Sequence, residues 1–98
     1  MKITIENPNT HSRNLLRRAG YAIHKNRDGE TSFVRRIQGY DYPRFHIYVN
    51  KENAGELIEM TLHLDEKKPS YEGSNAHSGQ YDGDIVKEEY TRIVDSIS

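Results

Sequence analysis

The sequence predicts one α+β domain spanning residues 1–98: an antiparallel β-meander of four to five strands, with a short N-terminal helix and an amphipathic C-terminal helix packed on one face. Three observations carry this. Residues 44–50 and 57–65 alternate apolar and polar side chains, the period of a strand. Asp28-Gly29 between two extended runs is a two-residue hairpin signal. Residues 85–97 repeat apolar groups at helical spacing.

The elements follow in order. Ile3 and Ile5 alternate with Lys2 and Thr4 in a first strand, which Asn7-Pro8-Asn9 breaks. Thr10 or Ser12 caps a helix containing Leu15, Leu16 and Ala19, and Gly20 suits the left-handed position after its end. Tyr21 to Arg27 and Glu30 to Gln38 flank the Asp28-Gly29 turn, and Gly39 to Pro43 make a loop. Arg44 to Asn50 is a strand, Asn53-Ala54-Gly55 turns the chain, and Leu57 to Asp65 returns. A long polar loop covers 66–82, and Asp82 or Asp84 caps the last helix. Ile85, Val86, Glu89/Tyr90, Ile93, Val94 and Ile97 form the stripe by which that helix packs on the sheet.

Composition narrows the class. At 98 residues, 34% hydrophobic and a mean hydropathy of −0.94, the chain supports one small core. It has no Cys, so disulfides and thiolate metal sites are excluded and a cytoplasmic location is expected. MKITIENPN lacks the apolar core of a signal peptide, and no apolar run approaches the ~18 residues of a membrane span. The net charge of −1 conceals an asymmetry. Residues 1–50 carry nine Lys and Arg against four Asp and Glu, and residues 51–98 carry five against eleven. Either the basic half presents a face to phosphates, or the halves interleave and the charges mix.

The second hairpin permits the sharpest inference. Its first strand holds apolar residues at odd positions and its second at even ones, so opposed residues must have numbers with an odd sum. Centring the turn on Asn53-Ala54-Gly55-Glu56 pairs Val49 with Met60, Ile47 with Leu62 and Phe45 with Leu64. The opposite face then pairs Tyr48 with Thr61, His46 with His63 and Arg44 with Asp65. A slip by two residues would separate the histidines. Two adjacent imidazoles on a non-core face suit a divalent metal such as zinc, with His77 or Asp82 from the loop as third ligand. They equally suit a general acid and base around a phosphodiester, or a solvated face on which His merely fits.

Several stretches resemble known families. LLRRAGYAIHKNRDGETSF, residues 15–33, is similar to the opening of HicA-type toxin RNases, whose Gly-Ser-His turn is here Asp28-Gly29-Glu30-Thr31-Ser32, so no activity is carried over. The α-β-β-β-α order looks like a double-stranded-RNA-binding domain, although the last helix begins with the acidic Asp82-Gly83-Asp84. FHIYV and LHLDE resemble the His-bearing strands of two-histidine phosphoesterases, with Tyr48 and Asp65 where that family has Thr or Ser. PRFHIY, LHLD-x-KKPSY and HSG-x-YDG resemble a family of small uncharacterised bacterial proteins, and this resemblance implies no particular activity.

The loop at 66–82 completes the candidate face. Structureless loops of this length in compact domains are usually functional or disordered. Tyr71 or Tyr81 would staple it to the sheet, bringing His77 towards His46 and His63. The candidate functional face is therefore His46, His63, His77, Arg44, Tyr48 and Asp65, with Lys67, Lys68, Tyr71, Tyr81 and Asp82 from the loop. The favoured expectation is a binding module for nucleic acid or a protein partner, in which Arg35, Arg36 and Arg44 interleave with aromatics. The alternative is a metal-dependent or acid-base hydrolase, of phosphoester type, built on His46, His63 and His77.

Overall fold

The computed structural model describes residues 1–25, 31–66, 79–80 and 83–97, with backbone only at 79–80. The strands are β1 (Lys2–Glu6), β2 (Ala22–Lys25), β3 (Thr31–Arg36), β4 (Arg44–Asn53), β5 (Leu57–Asp65) and β6 (Gly79–Gln80), and the helices are α1 (Ser12–Arg18) and α2 (Asp84–Ile97). The sheet order is β1-β5-β4-β3-β2, every pairing antiparallel, and β6 lies beside the far end of β5. Thus β2 to β5 form the expected meander and β1 adds to its closing strand. The short β6 is new, since it falls inside the stretch read as a continuous loop. The Asp28-Gly29 turn, and His77, Lys67, Lys68, Tyr71, Tyr81 and Asp82, lie outside the described residues.

The β4–β5 register is the one that parity requires. Phe45 opposes Leu64, Ile47 opposes Leu62 and Val49 opposes Met60, so their shared face forms the core. Ile3 on β1 and Phe33 on β3 extend that face, and α1 and α2 cover it with Leu15, Leu16, Val86 and Ile93. Burying each such side chain is worth about 1.5–3 kcal/mol. A bulge at Asn50 then shifts the register, so that Lys51 opposes Glu59 and Glu52 opposes Ile58. The loop is accordingly one residue longer than expected, with Asn53 opposite Leu57: Glu56 N–H donates to Asn53 C=O at 3.0 Å, and Gly55 stands at φ 75° as a type II turn demands.

The bulge corrects the expectation for the first helix cap. Neither Thr10 nor Ser12 caps α1; the flanking residue is His11, whose side chain makes no cap bond. Instead the extra residue turns Glu52 to the helix face. There the Ser12 N–H donates to Oε2 at 2.9 Å and the Ser12 hydroxyl to Oε1 at 2.7 Å. The other end behaves as read. Gly20, at φ 94°, donates to Arg17 C=O and Tyr21 N–H to Leu16 C=O, the paired bonds of a Schellman motif.

The α2 stripe is narrower than its pattern suggests. Val86 and Ile93 are fully buried, whereas Ile85 and Val94 are exposed, and the buried position between them is the acid Glu89. Its Oε2 accepts from the Tyr21 hydroxyl at 2.6 Å and from Arg92 Nη2 at 2.8 Å; its Oε1 accepts from Arg92 Nε at 2.7 Å. Arg35 Nη1 stands 3.6 Å from Oε1, and Arg92 also donates to the Ala19 carbonyl at the end of α1. Burial and the bond to Glu89 push the Tyr21 hydroxyl above its ordinary range, and the bond to Glu89 raises Arg92. The two charged halves interleave: Lys2 meets Glu59, Arg35 meets Glu89 and Arg44 meets Asp65.

Three predictions arise here. Glu89→Ala strands the buried Tyr21 hydroxyl and takes the carboxylate from Arg92 and Arg35, which remain partly hydrated, and should cost about 2–3 kcal/mol in urea denaturation. Tyr21→Phe should cost about 1.5–3 kcal/mol, as a bond to a charged acceptor. Glu52→Ala should cost about 1 kcal/mol, the scale of a lost cap. Burial opposes ionisation of Glu52, but the Ser12 bonds and the nearby His11 outweigh it, so its folded pKa is depressed. The contribution is therefore complete above the ordinary value of 4.5 and disappears as pH falls through the folded value. Urea midpoints of wild type and variant should differ at pH 7 and converge on acidification.

Candidate metal centre

Among the described residues no helix covers the second face of the sheet, and its middle is nonetheless buried. The register sets His46 of β4 directly opposite His63 of β5, with Arg44 opposite Asp65 and Tyr48 opposite Thr61. His46 is 6% exposed and His63 4%, so the expectation of a solvated face is corrected at its centre. Tyr48 stacks against both imidazoles, at centroid distances of 4.5 Å and 5.5 Å, and the two imidazoles stand 5.0 Å apart.

Asp65, one register position from the histidines, joins them. His63 Nε2 lies 2.8 Å from Oδ1, and His46 Nδ1 lies 3.0 Å from Oδ2. Arg44 Nε approaches the same Oδ2 at 3.3 Å. Burial works against ionisation of Asp65, yet the hydrogen bonds and charge of His46 and His63 outweigh it and hold the carboxyl well below the usual carboxylate range. One donor atom from each of His46, His63 and Asp65 falls within 4.8 Å of the other two. The sequence assigned the third place to His77 or Asp82; among the described residues Asp65 takes it.

The outer side of His46 decides what this cluster can do. Its Nε2 is 2.7 Å from Ser32 Oγ, and Ser32 Oγ is 3.2 Å from the His24 carbonyl oxygen. A hydroxyl has one proton to donate. If Ser32 gives it to His46 Nε2, its nearer partner, the neutral imidazole donates Nδ1–H to Asp65. If Ser32 gives it to the His24 carbonyl, Nε2–H donates to Ser32 and Nδ1 turns a lone pair towards the carboxylate, the tautomer that suits a metal ion.

The cluster is compact enough to close on a metal: ligands about 2.1 Å from a tetrahedral ion lie about 3.4 Å from one another, and the three donor atoms here lie within 4.8 Å of one another. The supporting contacts are those expected around ligands: the second nitrogen of His46 is committed to Ser32, and the carboxylate is held by Arg44. His24 stands edge-on to His46 at 5.9 Å; burial, then Arg44 and His46, lower its pKa.

Ser32, His24 and Tyr42 were not legible as site residues in the sequence. Ser32 enters because β3 pairs it with Tyr48, and Tyr42 because its ring lies 4.6 Å beneath the Arg44 guanidinium. Only Ser32 left a usable trace, as a small polar residue beside Phe33 in an otherwise β-rich run. No helix among the described residues is long and apolar enough to cross a membrane. Comparison with known proteins returns no match to a family model, to a curated protein or to a solved structure.

Proposed function

We propose that this domain holds a divalent metal ion of the zinc type between His46, His63 and Asp65, and uses it to activate water for hydrolysis. The observation that supports the reading is the pair of contacts that Asp65 makes with the two imidazoles, at 2.8 Å and 3.0 Å, while the other His46 nitrogen is engaged by Ser32. Two imidazoles and a carboxylate leave a four-coordinate ion one open position, the arrangement of catalytic rather than structural zinc. A bound ion supplies a Lewis acid and a water whose pKa falls to about 7. The protein's part is to orient the ligands through Ser32 and Arg44 and to keep the imidazoles dry against Tyr48.

A stripe binding a nucleic-acid strand has less behind it. The centre of the polar face is imidazole and phenol, and Arg36 and Arg44 stand together at one corner instead of along it.

Zinc or cobalt(II) titrated into chelator-treated protein should bind at one ion per chain, with the visible absorption of a four-coordinate cobalt site. His46→Ala, His63→Ala and Asp65→Ala should each reduce affinity by at least about 100-fold, and Ser32→Ala by about 10-fold. Circular dichroism would show that each variant remains folded. Absence of saturable binding to the wild type, or equal affinity in folded ligand variants, would sink the proposal.

A further inference from the structure

The corner of the sheet beside this centre is notched. The last pair between β2 and β3 is Ala22 with Val34, so β3 runs on for two residues, Arg35 and Arg36, without a neighbour from β2. A cleft of about 810 Å³ fills that corner, between the free end of β3 and the segment carrying Asp41 and Tyr42. This volume suits a small organic molecule.

The walls of the cleft carry an excess of cations. Arg35, Arg36 and Arg44 line it together with His24, and Asp41 is the single acid among its lining residues. Arg36 and Arg44 are moreover direct partners across β3 and β4. Like charges in that position destabilise a sheet. Asp41, 3.3 Å from Arg36, offsets this only weakly, because that pair is largely exposed to water. Arg44 is held by Asp65 on one side and by the Tyr42 ring on the other. Two arginines that the register sets opposite one another, both lining one cleft, suit an oxyanion able to accept from both, and phosphate is a group whose geometry meets the guanidinium fork. Ala22, Val34 and Tyr42 give the same cleft an apolar wall.

We infer that this corner cleft binds the phosphate group of a small organic phosphate ester, gripped between Arg36 and Arg44 with its organic body against Ala22, Val34 and Tyr42. Arg44 links the two sites, since it lines the cleft and also touches Asp65. The ester would thus be held beside the water-activating position. Its role as substrate rests on the metal reading, whereas its binding does not.

The test uses metal-free, chelator-treated protein, titrated with phenyl phosphate and with inorganic phosphate by calorimetry. Saturable binding of phenyl phosphate, tighter than that of inorganic phosphate, is expected. Arg36→Gln, at an exposed position that leaves the core untouched, should weaken it at least about fivefold. Arg13→Gln, on α1 and away from the cleft, should leave it unchanged. Added zinc should strengthen binding if the ester also reaches the metal; binding that zinc leaves unchanged would retain the cleft and remove only the ester's role as substrate. The inference is overturned if phenyl phosphate binds only when zinc is present and Arg36→Gln is without effect. It is overturned equally if the two phosphates bind alike, if Arg13→Gln weakens binding as much, or if neither phosphate binds.

Discussion

The register between β4 and β5 is the constraint on which the rest depends. Strand side chains alternate, so one choice of pairing decides the composition of both faces together. Phe45, Ile47 and Val49 meet Leu64, Leu62 and Met60 on the helix face, and that choice alone sets His46 against His63 and Arg44 against Asp65 on the other. The core therefore selects the site. A slip by one residue would bury the imidazoles under α2 and expose the leucines, so the stability of the apolar face maintains the geometry of the polar one.

Glu89 on the helix face and Asp65 on the other are each held by several partners, and the two differ in what holds them. Glu89 is held by Arg92, Arg35 and the Tyr21 hydroxyl. Guanidinium keeps its charge at any working pH, so that network ties α2 to the end of α1 and to β3 and does nothing else. Asp65 is held chiefly by two imidazoles, whose ring nitrogens exchange a proton for a metal readily. The same physics, a carboxylate kept ionised by hydrogen-bond donors, gives a rivet in one place and a candidate metal centre in the other.

Much of this was legible in the sequence. The parity of residues 45–49 and 60–64 encodes the hairpin register, and with it the adjacency of the histidines and the ion pair beside them. What parity cannot show is which polar residues converge in three dimensions. Ser32 reaches His46 only through a second register, between β3 and β4, and residues 31–36 lack the clean alternation that would specify it. Spacing put Glu89 or Tyr90 on the packing stripe, but the burial of an acid there requires Tyr21 and Arg92, which no local pattern connects. Glu52 was invisible as a cap for the same reason, forty residues from the helix whose end it satisfies.

The bulge at Asn50 gives β4 a change of frame. Before it, even-numbered residues of the strand face the imidazoles; after it, Glu52 faces the helices. One extra residue thus lets a single strand serve two addresses, supplying His46 and Tyr48 to one side and the anchor for α1 to the other. Paired without the bulge, Asn50 to Glu52 would continue the alternation of residues 44–49, and the Glu52 carboxylate would turn to the face of the histidines and be lost to α1. Deleting Asn50 would instead straighten the strand, with Lys51 still opposite Glu59 and Glu52 still opposite Ile58. The extra residue is therefore what reconciles the even number of Glu52 with the face that the odd-numbered residues before it occupy.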